Sequence, residues 1–472
     1  MKPCRIDYRV ILDKYAVTMS LEQVEGALKL IEDLNLTAIR FEQTDMHGIA
    51  RCKTIPACHF KEKATKGVNF VLLALGALDV KGELVELVED TGYGEEVSFG
   101  DAVAFPDFDT LYPLPWLKST GRILVEPTYN GESVPGYPRV IAKRQLEKLK
   151  EMGMSLLSAH EHEFYLVEKE TLKPMNGDDS NIFATIRNTP ILDLIDKFIE
   201  YLPKVGVSVE SVENEMGPGQ VEISYKPAFG LRAADNAHTY KTSIKEIALL
   251  NGCVASFMSK PYPEQAGSSS HFCHSLWDVE GKLPLLYNHD NPTHLSEIGQ
   301  QWIAGILAHA RATEILMAPT VNCLKRVKPM ATPINVTWGL DNRTCLVRVK
   351  INGDTGTYLE NRAGASGCNP YLSLAATVAA GIDGIVNKMK LPPPVTRNAY
   401  KPENIPPKTA SIPDNMEDAL KALLDDEVIC DALGKDFIKS FSALKRYEAN
   451  QEREAIDKGD EHWDFNKFFY YL

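Results

Sequence analysis

The stretch "AHEHEFYLV", Ala159–Val167, sets two carboxylates two positions apart in a segment that otherwise reads as a buried strand. Phe, Tyr, Leu and Val suit a pleated, half-buried surface. Side chains alternate along a strand, so Glu161 and Glu163 point to one face. Like charges that close repel, and burial makes ionising either one costly. What offsets them decides what this strand is for.

The neighbouring segments fit a sheet with helices around it. "PRVIAKRQLEKLKEMG" (138–153) predicts a helix feeding the strand. A strand follows at 207–213, then the turn "MGPGQ" and the strand "VEISY". A helix covers 230–251 and stops at Gly252. Strand segments fall within 334–350, and another helix starts after Asn369-Pro370. Its apolar run "YLSLAATVAAGIDGIV" is short and carries Asp383, so it reads as a core helix and not a membrane span. Toward the N-terminus, residues 20–34 read as an amphipathic helix, with Ser20 and Gln23 as a capping box. "TAIRFEQTDMHGIARCKTIP" (37–56) reads as two strands around a turn at Met46–Gly48. The Pro-rich "FPDFDTLYPLPW" (105–116) reads as a linker, which divides the chain into domains 1–106 and 107–472.

Bulk properties exclude several classes. A net charge of −13 with no basic block argues against a nucleic-acid surface. Nine cysteines, an odd number with no C-x-x-C pair, read as reduced thiols in a cytoplasmic protein. "MGPGQ" lacks the G-K-[ST] ending of a phosphate loop.

Other carboxylates recur in strand settings. Glu215 and Glu222 bracket "MGPGQV", Glu360 lies in "TYLENRAG", and His271 lies in the Gly/Ser-rich loop "GSSSHFCHS". Oxygen ligands with one imidazole suit Mg²⁺ or Mn²⁺. A divalent cation removes the repulsion and keeps both strand glutamates ionised; a solvated face or salt bridges would also account for them. Arg326, Arg343, Arg348 and Arg362 add guanidinium groups of the kind that clamp phosphates and carboxylates.

In order along the chain, "RFEQTDMHGIARCKTIP", "AHEHEFYLV", "ENEMGPGQVEISY", "GSSSHFCHS", "APTVNCLKRVKP", "WGLDNRTCLVRV" and "ENRAGASGCNPYLSLAATVAAGIDGI" resemble the glutamine synthetase family of the bacterial-type branch. "WGLDNRT" and "MHGIARCKTIP" lean toward its lengsin-like members and are similar also to γ-glutamyl-polyamine ligases. The resemblance implies an α+β fold, with a small N-terminal β-grasp domain and a large catalytic domain of antiparallel strands flanked by helices. It implies homo-oligomers of stacked hexameric rings, a dodecamer; the net charge and the short apolar run speak for no nucleic acid and no membrane as partner. It implies that Glu163, Glu215 and Glu222 hold one metal and that Glu161, His271 and Glu360 hold a second, with two or three Mg²⁺ or Mn²⁺ ions per site. Asp45 resembles the aspartate that a neighbouring subunit contributes to bind and deprotonate ammonium. Arg326 and Arg362 resemble substrate-side arginines, Arg343 one that faces the phosphates of ATP, Gly267 a glycine near the glutamate and Ser275 a residue near the adenine. The implied reaction joins glutamate to ammonia or a larger amine through an acyl phosphate made from ATP.

The departures from that pattern are equally specific. "KRVKPMATP" has Ala331 and Thr332 where the family carries a flap glutamate. Tyr358 replaces an arginine, and Cys273 replaces the second histidine of an H-x-H. Ala266 replaces an asparagine, and the usual acid before "NPY" is missing. His274 falls on the opposite face of an extended segment and does not substitute for the lost imidazole. Two expectations therefore stand: a ligase, or a lengsin-like assembly that keeps rings and metals without turnover. The aromatics of "DKGDEHWDFNKFFYYL" read as packing at a subunit seam.

Overall fold

The computed structural model describes residues 21–86, 88–177 and 181–472. Two mixed sheets organise it. In the first, β2 (Ala50–Pro56) pairs antiparallel with β1 (Ala38–Thr44), which runs parallel to β6 (Thr120–Tyr129). The sheet continues through β4 (Asp101–Pro106) to β3 (Val68–Val71). Helix α1 (Leu21–Asp33) closes one side, burying Ala27 and Ile31 against Ile39, Phe41 and Ile123. Ser20, the expected cap, lies outside the described residues.

Segment 105–116 is no linker. Its β5 (Tyr112–Pro113) pairs with Arg122 and Gly121 of β6, and the sheet runs on to β7 (Glu132–Ser133). Proline is tolerated there because β5 is an edge strand with no ladder to complete on its outer side.

The second sheet has the order β14-β15-β16-β13-β8-β10-β9, with β11 (Ala228–Phe229) and β12 (Cys253–Ser256) also paired to β8. Ala159–Val167 is the middle of β8 (Met154–Glu168). Around it stand β9 (Val209–Asn214), β10 (Gln220–Tyr225), β13 (Ser270–Asp278), β14 (Trp338–Leu340), β15 (Val347–Lys350) and β16 (Tyr358–Asn361). His271, expected in a loop, sits on β13.

One face of this sheet packs on helices. His160, His162 and Phe164 alternate with the glutamates of β8 and are buried beside Tyr240 and Phe257. Burial holds both imidazoles well below their usual pKa, so they are neutral core residues. The helices are α2 (Pro138–Glu151), α3 (Leu231–Leu250), α4 (Glu297–Ala308), α5 (Ala310–Met317) and α6 (Pro370–Val386). Asn369 caps α6 by accepting from the Tyr371 N–H. α4 and α6 cross so closely that a Cβ on Gly305 would stand 2.1 Å from the Ala380 carbonyl oxygen. Among the described residues no helix is long and apolar enough to cross a membrane.

Charge ties the first sheet to the helices. Buried Arg139 on α2 bonds Asp235 through Nε (2.8 Å) and also pairs with Asp107 and Glu126 of the first sheet. The Arg139 guanidinium keeps Asp235 ionised against the penalty of burial. The C-terminal segment also turns inward. After α7 (Lys435–Asp457) comes α8 (Trp463–Phe468), and Phe468, Phe469 and Leu472 join the main core of this chain. The Phe257 N–H donates to the Leu472 carbonyl at 3.0 Å. Of the aromatics expected at a subunit seam, Phe468 and Phe469 pack within the chain, Trp463 and Phe465 are half-buried, and Tyr470 and Tyr471 are exposed.

Candidate active site

Strand register builds the site on the open face of the second sheet. Glu163 of β8 lies opposite Glu222 of β10, which lies opposite Glu213 of β9. Three glutamates thus share one cross-strand row, an arrangement that is destabilising without compensation. Two positions along β8, Glu161 faces His271 of β13. Next to them Cys273 faces Glu360 of β16, and Glu360 faces Arg348 of β15. Glu215 enters from the end of β9, where its N–H donates to the Gln220 carbonyl.

Two groups of ligand atoms converge. Glu163, Glu215 and Glu222 each bring an oxygen within 4.8 Å of the others, and Glu161, His271 and Glu360 do the same with two oxygens and a nitrogen. These are the sets expected from the sequence. Burial first, then the Glu163 carboxylate, pushes Glu215 and Glu222 well above the usual carboxylate range. Burial, then Arg362, drives the His271 imidazole down to about 3, leaving it neutral and able to ligate. Its Nδ1 stands 3.4 Å from Glu161 and 3.3 Å from Glu360. Buried carboxylates that face each other, beside a neutral imidazole, fit divalent cations.

The surroundings aim these groups. Glu163 accepts from Gln220 Nε2 (2.8 Å), the Ser269 N–H (3.0 Å) and Ser269 Oγ (2.5 Å). Glu360 is buried and pairs with Arg348 (3.0 Å) and Arg362. The buried Nε of Arg362 has no hydrogen-bond partner, so a donor is left over for an anion. Arg326 is buried beside Glu163, and one of its N–H groups donates to the Gly364 carbonyl. Gly267 lies against it: a Cβ there would meet Arg326 Cγ at 2.7 Å.

Ser275 lines a cavity of about 290 Å³ with Glu161, Cys273, Thr357 and Tyr358. Arg343 is exposed, and its charge acts on Glu215. Asp45 is not brought to these groups within the chain. Its carboxylate accepts from the His47 and Ile49 N–H groups (both 2.9 Å) and forms two bonds with Arg51, at 3.0 and 2.8 Å. The flap segment carries no acid, and the Thr332 hydroxyl donates to the Arg326 carbonyl. Sequence reading missed the site roles of Gln220, Ser269 and Glu213. The first two lie in the segments "GPGQ" and "GSSSH", but only the fold shows them bonding Glu163.

Residues 135–465 match the family model described as glutamine synthetase, catalytic domain. The chain is 36% identical over 449 residues to lengsin of Homo sapiens, covering 93% of this chain and 83% of that protein. It is 31% identical over 467 residues to the glutamate–isopropylamine ligase of a Pseudomonas species, covering 95% and 99%. A solved GmaS/ADP complex superposes with a TM-score of 0.80 at 27% identity, covering 91% of this chain and 96% of that one.

Proposed function

The chain belongs to the glutamine synthetase family, and we propose that it is an ATP- and divalent-metal-dependent ligase joining glutamate, or a similar acid, to ammonia or a larger amine. The convergence of six ligand side chains beside Arg326 and Arg362 carries this reading. Glu163, Glu215 and Glu222 would hold one ion and Glu161, His271 and Glu360 a second. Bound there, such ions offset negative charge gathering on a transferring phosphoryl group.

The protein's own groups do the rest. Arg326 and the spare Nε of Arg362 bind and orient the acid, so that its γ-carboxylate faces the terminal phosphorus of ATP. The cavity bounded by Ser275, Thr357 and Tyr358 receives the nucleotide. The oxygen–phosphorus bond to ADP breaks as the acyl phosphate forms. The amine nitrogen then attacks the carbonyl, phosphate leaves, and a carboxylate takes the nitrogen's proton. Asp45 would serve a neighbouring subunit in a ringed assembly. Its four hydrogen bonds leave it poorly placed to hold a free ammonium ion, and this supports a larger amine over ammonia.

The test is phosphate release from ATP with Mg²⁺ or Mn²⁺ and glutamate, first with ammonium and then with a panel of alkylamines and diamines. Amine-dependent turnover that disappears in Glu161→Ala supports the ligase. Rates equal to that variant with every amine reject it in favour of a non-catalytic, metal-held assembly. Tyr358 and Cys273 at the nucleotide end favour this second reading, since neither carries a cation toward a phosphate.

Gly267→Ala probes the acid site. The added methyl must displace Arg326, so KM for the acid should rise about 10–100-fold, the worth of one charged hydrogen bond. The melting temperature should fall as well, since the methyl also meets the Ser259 carbonyl oxygen at 3.0 Å, but kcat should change less than KM. An unchanged KM would remove Arg326 from acid binding.

A further inference from the structure

We propose that His309 is a pH-released clamp: as an imidazolium it fastens the helix Glu427–Leu433 to α6 through two aspartates, and it lets go on losing one proton.

Position comes first. His309 is the break between α4 and α5, and its side chain is buried. Its Nδ1 stands 2.7 Å from Oδ2 of Asp426, the residue that caps the helix Glu427–Leu433. Its Nε2 stands 3.0 Å from Oδ2 of Asp383 on α6. One ring thus joins segments 117 and 74 residues away along the chain.

The geometry fixes the charge. A neutral imidazole has one N–H and one lone pair, whereas an ionised carboxylate only accepts. Two carboxylates, one at each ring nitrogen, are both satisfied only by a ring that carries two protons. Each aspartate is also held by its other oxygen. Asp426 Oδ1 accepts from the Ile429 N–H (3.0 Å), and Asp383 Oδ1 accepts from Asn387 Nδ2 (2.8 Å). Such bonds favour the ionised carboxylate. Burial alone would lower the His309 pKa, but the bonds and charges of Asp426 and Asp383 outweigh it and raise the pKa above its ordinary value. The other charges around the ring are engaged elsewhere or face water. Arg311 donates to the Ser411 carbonyl, Lys421 pairs with Asp425, Asp418 accepts from Asn415, and Glu427 is exposed.

Deprotonation turns one of the two contacts from attraction into repulsion, because a lone pair then faces a carboxylate. The clamp is therefore at full strength below the free histidine value of about 6.5 and is lost as pH rises through the raised folded value.

The experiment is hydrogen exchange of the full-length protein in Mg²⁺, from about pH 6 to about pH 9. It is corrected for the intrinsic rate and read by mass spectrometry on peptides from the helix Glu427–Leu433. Wild type, His309→Gln and Asp426→Asn are compared. Near pH 6 the helix should exchange at least about tenfold more slowly in the wild type than in His309→Gln, the worth of one charged hydrogen bond. That ratio should shrink by up to about tenfold per pH unit above the free histidine value, then level off once the folded ring is neutral. Asp426→Asn keeps the helix cap, and its amide can donate to Nδ1 of a neutral ring whose Nε2–H still reaches Asp383. Its exchange should therefore vary much less with pH. A ratio between wild type and His309→Gln that stays constant with pH would overturn the proposal, since the ring would then hold one charge throughout. An Asp426→Asn variant with the pH slope of the wild type would overturn it too, because the slope would belong to another group. Should His309→Gln fold poorly, the comparison with Asp426→Asn decides alone.

Discussion

Glu360→Ala should cost more than any other single change on the open face of the sheet, in stability and in activity together. The side chain is buried, and it meets Arg348, Arg362 and His271 at once. Removing one partner of a buried ion pair leaves uncompensated charge, which destabilises by about 3–5 kcal/mol. Here two guanidinium groups lose their common anion. Arg348 keeps Asp341, but Arg362 has no other carboxylate partner among the described residues. Glu360→Gln separates charge from shape. It keeps the packing and can accept from one arginine, so it should recover part of the stability but not metal affinity at the position shared with Glu161 and His271. Turnover in either variant should fall at least about 10²–10³-fold, the cost of one group that stabilises transition-state charge. Denaturant melts, metal titration and phosphate release on the same preparations decide it. A Glu360→Gln variant that binds metal as the wild type does would show that Glu360 serves only the arginines.

That prediction depends on register, and register marks the limit of what the sequence conveys. Alternation alone puts Glu161 and Glu163 on one face, and β8 bears this out. Alternation also puts His274 on the other face, where its Nε2 accepts from the Trp302 indole at 3.0 Å. Which residue lies across from which depends on how strands pair, and a slip of one position would invert every facing side chain. Glu213 shows the consequence: it looks like any strand glutamate until the fold sets it opposite Glu222. Ser269 and Gln220 likewise become supports of Glu163 only when β8, β10 and the start of β13 meet. Two other segments show a different limit. Prolines at 106, 113 and 115 suggest a break in structure, yet Pro106 ends β4, Pro113 lies on the edge strand β5, and Pro115 follows in a turn. The C-terminal aromatics suggest an interface, but composition does not say whether a chain buries such residues in itself or in a partner. Motif segments gave the site's membership, and the fold gave its geometry.

Chelating divalent ions should destabilise the protein by an amount that grows with pH, and the growth should slow near pH 7. Both Glu215 and Glu222 have folded-state pKa values raised above the ordinary carboxylate value of about 4.3. Glu215 goes up to about 7 and Glu222 up to about 10, by burial and by facing carboxylates. Below about pH 4 both groups hold protons folded or unfolded, and no penalty exists. As pH rises further, the unfolded chain releases these protons while the metal-free fold retains them. Stability then falls by about 1.4 kcal/mol per group per pH unit. The Glu215 contribution stops growing near its folded value, and that of Glu222 continues. Bound cations favour the ionised carboxylates and cancel this loss. Other groups titrate in the same range: the buried histidines and Lys245, whose pKa burial lowers to about 7, impose slopes of their own. The gap between metal-loaded and chelated protein removes them, because they are common to both forms. That gap should widen by on the order of 4 kcal/mol between about pH 5.5 and 7, where two protons are displaced, and about half as steeply above. Denaturant unfolding at four pH values, with Mn²⁺ and with chelator, measures it. A gap independent of pH would mean that the facing glutamates of β8, β9 and β10 are not what the cations relieve, and that something else offsets the two charges of β8.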